Sequence, residues 1–455
     1  MSKALAAICC TLLLCGCTLS DRVRPSQSDI VPAMQWRTTT GPTAAIERDW
    51  WRAYGDPVLA DLVERALANN TNIAIAAARV REARAQEEQA RSQLFPSVNV
   101  SAAAGHAQTL TAFGTTSVGS SFQPQLQAAW EMDLLGRLHD LVGAARNQYL
   151  ASEAAHDAAM LSVASGTASG YITLRALDAR LEVARQTLVA RTEALRLARS
   201  RAEVGYTSRL ELTQAQAEYE ATAQIIPQVE QAISQQENAL STLVGDPPRS
   251  IERGVALASL HIPPIPAGLP SDLLRRRPDL AQAEYQLAAT DSNLAAARKG
   301  FLPRVQLTGT AGILYASGLD DPISLFSVGA SVLAPLFDAG RISAQRDAAA
   351  AVRDQAAFNY RGTALQAFSE VENGLVALDR LAEQSKHIEA QRDALADTLR
   401  HATNRYRAGY SAYIDQLDAQ RGLLAAELSL VQIQADGLTA SVSLYRAMGG
   451  GWQAR

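Results

Sequence analysis

The sequence predicts a mostly α-helical chain with a small β part, built from two copies of one unit that contains long helical hairpins and one strand hairpin. Three observations favour this fold class. Alanine and glutamine run through most of the 455 residues, whereas aromatic residues make up only 5%. Apolar residues recur at helical spacing over long stretches, and the same landmarks occur twice in the same order.

The composition allows a large folded core and gives no sign of a nucleic-acid partner. Hydrophobic residues make up 47% and charged residues 19% of the chain, which excludes general disorder. The formal net charge is -4, and the basic residues are scattered among acidic ones. Because the chain has no basic patch or stripe, we exclude DNA and RNA as partners.

The first residues have the pattern of a secretory signal. Lys3 precedes an apolar stretch over residues 4–14, in which Thr11 is the one hydroxyl residue and which is too short to span a bilayer. The sequence LCGC at residues 14–17 resembles a bacterial lipobox, in which the signal is cut before Cys17 and that thiol receives lipid. An ordinary signal cleaved nearby would instead leave Cys17 as a free thiol.

All the cysteines fall in this leader, so the mature chain keeps at most one of them. An intrachain disulfide and a cysteine metal site are therefore excluded, and we expect packing or oligomerisation to stabilise the exported protein. The four cysteines are Cys9, Cys10, Cys15 and Cys17.

The rest of the chain is a duplication. Each landmark of the first copy has a counterpart about 200 residues later, which is the signature of a repeated structural unit. The matched pairs are residues 94–98 with 301–305 (LFPSV and FLPRV), 136–137 with 340–341 (GR in both), 204–206 with 408–410 (VGY and AGY), and 243–245 with 447–449 (LVG and AMG).

Each copy opens with a helix and continues into one strand hairpin. The first helices start near Thr71 and near Pro278, and proline suits the first helical position. After each proline landmark, apolar and polar residues alternate with the period of a strand. A second alternating run follows each polar loop, at residues 122–131 and 325–336. The predicted hairpins therefore cover about 97–131 and 304–336.

Two very long helices follow the hairpins. Residues 136–203 and 340–407 keep a helical period, and roughly 65 helical residues would measure about 100 Å. Leucines recur at spacings of three, four and seven residues, which indicates coiled-coil packing against a neighbouring helix. Each long helix ends near a glycine, at Gly205 or Gly409, and the chain returns as an antiparallel helix over residues 210–243 or 414–448.

The strand count indicates that several copies share one sheet. Four strands per chain are too few to close a barrel, and an open sheet edge is not tolerated in lipid. Three chains would supply twelve strands, which close a barrel with an aqueous lumen.

These residues resemble the TolC/OprM outer-membrane factors, in particular the lipoprotein (NodT-type) branch that serves resistance-nodulation-division (RND) efflux systems. The resemblance covers almost the whole chain, and its segments are specific because they occur together, in order and in duplicate. They are residues 272–279 (DLLRRRPD), 301–303 (FLP), 337–341 (FDAGR), 405–410 (RYRAGY) and 415–421 (DQLDAQR).

The resemblance implies a homotrimer whose twelve-stranded outer-membrane barrel is continued by an α-helical periplasmic tunnel with an equatorial belt. It would be the passive exit duct for drugs or other small molecules, and its partners would be a periplasmic adaptor (membrane fusion protein), an inner-membrane RND pump and outer-membrane lipid. Covalent lipid such as palmitate on Cys17 is the one attached group, and Thr18 is not the aspartate that signals inner-membrane retention. The implied layout is a signal peptide (1–16), a lipid-anchored extended segment (17–55), a first repeat (56–246), an equatorial linker (247–270), a second repeat (271–449) and a tail (450–455).

The resemblance also implies a constriction at the periplasmic end. In similar proteins a hydrophobic ring and an aspartate ring narrow the tunnel, and the matching positions here are Ile414 and Asp418. They lie one helical turn apart and so share one face. The first copy has Leu210 and Gln214 at these places, so a charged ring would use one copy only. The alternative is that Asp418 is a solvated surface carboxylate.

The two glycine turns would receive the tips of the periplasmic adaptor. The positions implied are Gly205, Tyr206, Gly409 and Tyr410. A helix that ends in a left-handed residue needs glycine there in any case, so the alternative is that the glycines serve as caps and the tyrosines as ordinary surface residues.

Other functions are less consistent with the sequence. The six histidines have no metal-ligand spacing, and motifs for nucleophilic hydrolysis, phosphate binding and dinucleotide binding are absent, so we predict neither an enzyme nor a metal site. A non-conducting lipid-anchored coiled-coil scaffold would explain the helices but leaves the two strand hairpins without a role. An exit duct for type I protein secretion would share the fold and stays open as an alternative.

Overall fold

The computed structural model describes residues 25–37, 46–110, 112–264, 268 and 270–452. The predicted signal peptide and the lipid attachment at Cys17 lie outside these described residues. Within them the protein is mostly helical and has one four-stranded sheet, which confirms the predicted fold class. None of the described helices is both long enough and apolar enough to cross a membrane.

The described elements repeat in the order expected from the duplication. Short 3-10 turns at Ser26–Ser28, Trp50–Tyr54, Leu257–Ser259 and Lys299–Phe301 connect them. The first copy contains α1 (Pro57–Asn69), α2 (Thr71–Ser92), β1 (Ser97–Leu110), β2 (Thr116–Met132), α3 (Arg137–Glu203), α4 (Arg209–Ala223) and α5 (Ile225–Leu243). The second copy contains α6 (Pro270–Arg276), α7 (Pro278–Arg298), β3 (Arg304–Ala316), β4 (Ile323–Leu333), α8 (Arg341–Arg407) and α9 (Tyr413–Ala447).

The two long helices, α3 and α8, have 67 residues each and start in the same way. An aspartate just before each helix accepts hydrogen bonds from its first amides. Asp133 accepts from the N–H of Leu138 at 3.0 Å, and Asp338 accepts from the N–H of Ile342 at 2.8 Å. Each carboxylate satisfies amides that would otherwise have no partner at a helix start.

The first returning helix differs from the prediction of one continuous helix over residues 210–243. It is interrupted at Gln224, between α4 and α5. Pro227 explains the interruption, because it has no N–H to donate to the carbonyl of Ala223 four residues earlier. The second copy has no proline at this place, and its returning helix α9 runs without a break for 35 residues.

The chain divides into two compact units, and each takes segments from both repeats. One unit contains residues 87–146 and 286–361 together with the described residues 25–30. The other contains the described parts of residues 31–86, 147–285 and 362–455. The division into sequence repeats at residues 56–246 and 271–449 is a separate description and stays a prediction.

The first unit holds the sheet, whose strand order is β1-β2-β3-β4 with every neighbouring pair antiparallel. The pairing of β2 with β3 joins the two hairpins, and among the described residues β1 and β4 are edges with one neighbour each. Strand β2 begins at Thr116, earlier than the predicted Phe122, and β4 ends at Leu333, before the predicted Leu336. The structure confirms that the alternating runs of the sequence form strands.

The second unit has an apolar core rich in aromatic rings. Trp50 stacks on Tyr445 with 5.1 Å between ring centroids, and the fully buried Tyr54 shares a 2.6 Å hydrogen bond with Ser441. Leu59, Val63, Ile172, Leu174, Leu240, Val244 and Val442 fill the space around these rings. The core therefore joins α1, the long helix α3 and both returning helices.

Arg277 explains the RRRPD segment that stood out in the sequence. Its guanidinium makes two hydrogen bonds to Asp279 at 2.9 and 2.6 Å, one to Glu370 at 2.7 Å, and one to the carbonyl oxygen of Ala447 at 3.0 Å. These contacts tie the start of α7 to α8 and to the end of α9. Arginine suits this position because its planar group can donate in several directions at once.

Candidate functional site at the helical hairpin turns

The residues predicted to contact an adaptor lie at two turns of the second unit, and those predicted to form the constriction lie at the start of the helix after the second turn. One turn connects α3 to α4, and the other connects α8 to α9. Both have the same backbone geometry, in which a glycine with positive φ follows the helix and two amides bond back to carbonyls of its last turn. The bonds are Tyr206 N to Arg201 O at 2.8 Å, Gly205 N to Ala202 O at 3.1 Å, Tyr410 N to Arg405 O at 2.9 Å and Gly409 N to Tyr406 O at 3.1 Å.

The capping role predicted for the two glycines is confirmed. Their φ angles are 75° at Gly205 and 80° at Gly409, a region that side chains other than glycine rarely adopt. A Cβ added at either glycine would find no atom within 4 Å. The tyrosines that follow are open as well, with 85% of Tyr206 and 79% of Tyr410 exposed. Each turn therefore presents a backbone loop and one aromatic side chain at its surface.

The helices that leave the turns begin differently in the two copies. Ser208 caps α4, because its side chain accepts a 3.4 Å hydrogen bond from the N–H of Glu211. Ala412 takes the equivalent position before α9 and has no side chain that could cap it. Since a serine cap typically contributes about 1 kcal/mol relative to alanine, the start of α9 is the weaker of the two.

A small apolar cluster beneath the turns packs the two hairpins together. Tyr406 of α8 and Tyr413 of α9 lie with 5.5 Å between ring centroids, and the guanidinium of Arg201 in α3 lies 5.0 Å above the Tyr406 ring. Leu417, Ala198 and Ala215 complete the buried cluster. The rings and the cation thus join both hairpins directly behind the two turns.

A hydrogen bond from Tyr406 to Glu211 adds a polar link between the hairpins. The phenol of Tyr406 donates to the carboxylate of Glu211 on α4. Partial burial raises the pKa of Glu211, although the positive charge of Arg201 acts in the opposite direction. The neutral form of the carboxyl group is therefore favoured here more than in water.

A layer of charged groups lies further along the helices. The Arg191 side chain is only 2% exposed, and its Nη2 lies 3.2 Å from Oε2 of Glu218 on α4. Arg421 of α9 donates from Nε to the same glutamate at 2.7 Å, and Arg191 donates to Gln420. Burial lowers the pKa of Arg191, and the charge of Glu218 counters this. Two arginines from different repeats therefore share one carboxylate.

Ile414 and Asp418 both point away from the packed hairpins. Ile414 is 47% exposed, and Asp418 is exposed one turn later on the same face of α9. The hydrogen bond to Glu218 and then the charge of Asp418 raise the pKa of Arg421. In the first copy, Leu210 is 65% exposed at the position equivalent to Ile414. The predicted pair is thus free to face a neighbouring chain or water.

Several buried polar atoms near the turns have no hydrogen-bond partner among the described residues. They include the phenol oxygen of Tyr413 and Oε1 of Gln416, both on residues less than one tenth exposed. The hydroxyls of Thr207 and Ser411, at equivalent places in the two turns, are in the same situation. Each such atom costs about 1–3 kcal/mol, so this packing is less favourable than a fully bonded arrangement.

Sequence reasoning missed most of the contacts behind the turns. Arg421 was inside a segment that carried the family resemblance, but its partner Glu218 lies more than 200 residues earlier in the chain. A buried arginine on a long helix, such as Arg191, cannot be told from an exposed one by its spacing alone. Among the described residues no group of three or more His, Cys, Asp or Glu side chains is placed to hold a metal ion.

The chain is similar to known proteins over nearly its whole length. The model of the outer membrane efflux protein family matches residues 62–246 and again residues 269–450. The probable efflux pump outer membrane protein TtgC of Pseudomonas putida is 33% identical over an alignment of 475 residues, gaps included. The alignment covers 99% of this chain and 96% of that protein. The outer membrane protein OprJ of Pseudomonas aeruginosa is 33% identical over an alignment of 465 residues, gaps included, which covers 98% of this chain and 95% of that protein.

A solved structure agrees with these sequence relatives. The crystal structure of the Campylobacter jejuni CmeC outer membrane channel matches with a TM-score of 0.85 and 27% identity, covering 93% of this chain and 91% of that chain. The duplicated helical hairpins with one strand hairpin per repeat are thus shared with a solved channel. Matched twice by the family model and by relatives along almost their full length, the chain belongs to the outer membrane efflux protein family.

Proposed function

We propose that this chain forms the outer-membrane exit duct of a tripartite RND-type efflux pump and passively conducts drugs or other small molecules from pump and adaptor to the exterior. The protein is then a channel and not an enzyme, and covalent lipid on Cys17 anchors it. Relatives named for efflux of antibiotics or toluene and for export of pyoverdine support this class of function.

The observation that carries the proposal is the sheet. One of its faces is mostly apolar and the other carries most of the polar side chains, and within the described part of the chain each edge strand has one neighbour only. Such a sheet suits a wall between lipid and water, and unpaired edges are tolerated in lipid only if copies of the chain pair with one another. A homotrimer of twelve strands satisfies both conditions. A coiled-coil scaffold would have no use for this sheet.

We further propose that the periplasmic end of the duct is narrowed by Ile414 and Asp418. Their exposure on one face of α9, beside a packed hairpin, supports this role. Three aspartates around an axis would repel one another and attract cations. The phenol oxygen of Tyr413 and Oε1 of Gln416, which have no hydrogen-bond partner within the described part of the chain, fit a segment that changes its packing when the duct opens. In the same proposal, Gly205, Tyr206, Gly409 and Tyr410 form the surface that the adaptor contacts.

Single-channel conductance tests the duct, and mass in detergent tests the trimer. We expect discrete conductance steps from purified mature protein in a planar bilayer and a mass of three chains. A protein that stays monomeric and never conducts would contradict the proposal and favour the scaffold. Efflux and type I secretion are separated by deleting the gene: loss of resistance to small toxic compounds supports efflux, and loss of a secreted protein supports secretion.

The proposed constriction needs its own variant. Asp418→Ala should raise the conductance of the isolated channel or weaken its block by multivalent cations. Asp415→Ala is the matched control, because it removes a carboxylate from the same helix at about 100° around the axis from Ile414. If Asp418→Ala behaves like wild type, Asp418 is not part of the constriction.

A further inference from the structure

We propose that the polar face of the sheet, beyond its charged end next to the helices, forms a segment of the duct that carries no formal charge and that interacts with solutes through side-chain amides and hydroxyls. This inference rests on the proposed function, in which three copies close the sheet around an aqueous path. It assigns a substrate class to that segment: uncharged or zwitterionic compounds that bear hydrogen-bonding groups.

The amides come from every second residue of β2. Gln123, Gln125 and Gln127 lie on one face because side chains alternate along a strand. Residues directly opposite each other share a face, and the register places Asn99 opposite Gln127 and Ser101 opposite Gln125 on β1. Four amide side chains and a hydroxyl are thereby gathered on the two strands of the first hairpin, the inner strand β2 and the edge strand β1.

The second hairpin continues this face with hydroxyl groups. Thr310 lies opposite Gln127 across the β2–β3 pairing and shares a 2.8 Å hydrogen bond with Ser327 of β4. Closer to the helices, Gln306 of β3 lies opposite Ser331 of β4. The polar band therefore crosses all four strands at similar heights, from β1 at one edge to β4 at the other.

Formal charges are confined to one end of this face. Among the residues of the four strands, Glu131 and Arg304 are the acidic and basic ones, and both lie at the end where the helices attach. Glu131 is paired with Arg137 at 2.7 Å. The imidazole of His106 lies on the opposite face, where it shares a 2.9 Å hydrogen bond with Ser120. Between the helical end and the loops, the polar groups of this face are amides and hydroxyls without formal charge, and apolar residues such as Leu314, Ile323 and Leu325 take the face over near the loop of the second hairpin.

The opposite face shows why this one should line the water path. Its residues are mostly apolar, and many are well exposed in the single chain, including 89% of Val328 and 85% of Phe326. Apolar side chains are stable against lipid, whereas amides placed there would lose their hydrogen bonds to water and raise the free energy. On the other three strands this face includes Val98, Val100, Leu126 and Leu307.

The chemistry of amides gives this segment its selectivity. The Gln123 amide donates to the Gln125 amide oxygen at 3.1 Å, which orients both groups and leaves further donors and acceptors open to solutes. Neutral dipoles bind hydroxyl and amide groups but exert little long-range force on ions. We therefore expect this segment to pass cations and anions alike and to leave charge selection to the end that contains Asp418.

Two substitutions of opposite charge at one position test the inference. Gln127 is exposed on the polar face, so Gln127→Glu and Gln127→Lys should each be tolerated. In a planar bilayer under a salt gradient, we expect Gln127→Glu to raise the cation-to-anion permeability ratio and Gln127→Lys to lower it, each by about twofold or more. Gln108→Glu and Gln108→Lys are the matched controls, because Gln108 lies near the end of β1 on the opposite face. Their permeability ratios should equal that of wild type.

A second test adds the charge after the protein has folded, so its result does not depend on whether the charged variants fold. Gln127→Cys adds a thiol to a mature chain whose single cysteine, Cys17, we expect to be lipid-modified. Cationic and anionic thiol reagents applied to the open channel should then shift selectivity in opposite directions. If wild type conducts but neither the charged variants nor the reagents change the permeability ratio, the polar face does not line the path and the inference fails while the duct stands. A wild-type protein that never conducts would contradict the proposed function itself.

Discussion

Arg191 and Glu218 form an ion pair that is withdrawn from water, with 3.2 Å between Nη2 of the arginine and Oε2 of the glutamate. Their side chains are 2% and 10% exposed. Arg421, from the other repeat, binds the same carboxylate. The two hairpins are therefore held together by one shared carboxylate. Each arginine depends on Glu218 for its counter-charge, since neither has a second carboxylate among its described ion-pair partners.

Removing the shared carboxylate should cost more than replacing the pair. Glu218→Ala leaves Arg191 buried without its counter-charge, and we expect a loss of about 3–5 kcal/mol. The double variant Arg191→Met with Glu218→Leu should recover most of that loss, because it replaces the pair with apolar side chains of similar volume. Thermal unfolding of the purified protein, followed by its helical circular dichroism, measures both. Equal losses in the single and double variants would contradict this account.

Asp56 should be a second sensitive position. Its carboxylate is 2% exposed and accepts hydrogen bonds from the amides of Val58 at 2.8 Å and Val255 at 3.1 Å and from the phenol of Tyr171 at 2.8 Å. Asp56→Ala leaves these buried donors unsatisfied, so we expect a loss of at least about 2 kcal/mol.

Gly254 tests the same contact from the other side. A Cβ at Gly254 would overlap the Asp56 carboxylate, so Gly254→Ala should also lower the unfolding temperature. Asp61→Ala is the control on α1, because its side chain is 66% exposed. If Gly254→Ala and wild type are equally stable, the backbone at Gly254 can move away from Asp56 without measurable cost, which would contradict the close contact assigned here.

The packing behind the turns should respond to pH through Glu211. Burial raises its folded-state pKa above the ordinary value near 4.5, so the neutral form is favoured in the folded protein. Its contribution to stability is complete below the unfolded-state pKa and is lost as the pH rises through the raised value. We expect wild type to become more stable relative to Glu211→Gln as the pH falls from neutral to about 4.5. The glutamine keeps an oxygen acceptor for Tyr406. A stability difference that does not vary with pH would contradict this assignment.

Tyr206 and Tyr410 should matter for adaptor binding and not for folding. Both side chains are largely exposed, so Tyr206→Ala and Tyr410→Ala should leave the unfolding temperature within error of wild type. Exposed tyrosines at an interface often contribute about 1–2 kcal/mol, which is roughly a tenfold loss in affinity for the purified adaptor. Tyr315→Ala, an exposed tyrosine of the sheet, is the control. Unchanged affinity in both turn variants would remove these positions from the adaptor surface.

Lipid attachment at Cys17 can be checked by mass. We expect the mature chain to begin at Cys17 and to carry the mass of attached acyl chains, because the preceding residues resemble a lipobox. Cys17→Ala should lose the added mass and detach from membranes more readily before it assembles. A mature wild-type chain with an unmodified Cys17 would show that the leader is an ordinary signal.

The extents of the long helices were predictable because the sequence marks both of their ends. Glycine landmarks precede α3 and α8, and Gly205 and Gly409 follow them, so the predicted and observed limits differ by about one residue. The start of β2 was missed for a physical reason. Residues 116–121 are rich in Ser, Thr and Gly, which is typical of loops, yet they pair with β1 up to Leu110 opposite Thr116.

The site could be predicted only in part. The turn geometry followed from the two glycines, because a helix end in left-handed conformation has few alternatives. The partners of Arg191 and Tyr406 depend on how four helices are aligned with one another. That alignment follows from packing between helices of different repeats, with partners 195 positions apart for Tyr406 and Glu211 and 229 apart for Arg191 and Gln420, which the helical period of one sequence does not encode.

The two unpaired edges, β1 and β4, have a genetic consequence. In the proposed trimer, each protomer pairs both of its edge strands with the edge strands of its neighbours. A variant that is defective elsewhere but keeps these edges will therefore still assemble into pores with wild-type chains. At equal expression of wild-type and variant chains, about one pore in eight would be wholly wild type. A single faulty allele supplied on a plasmid would then suppress resistance in cells that retain a normal gene. A further substitution that prevents edge pairing in the faulty allele should restore resistance, because the faulty chain would no longer assemble with wild-type chains.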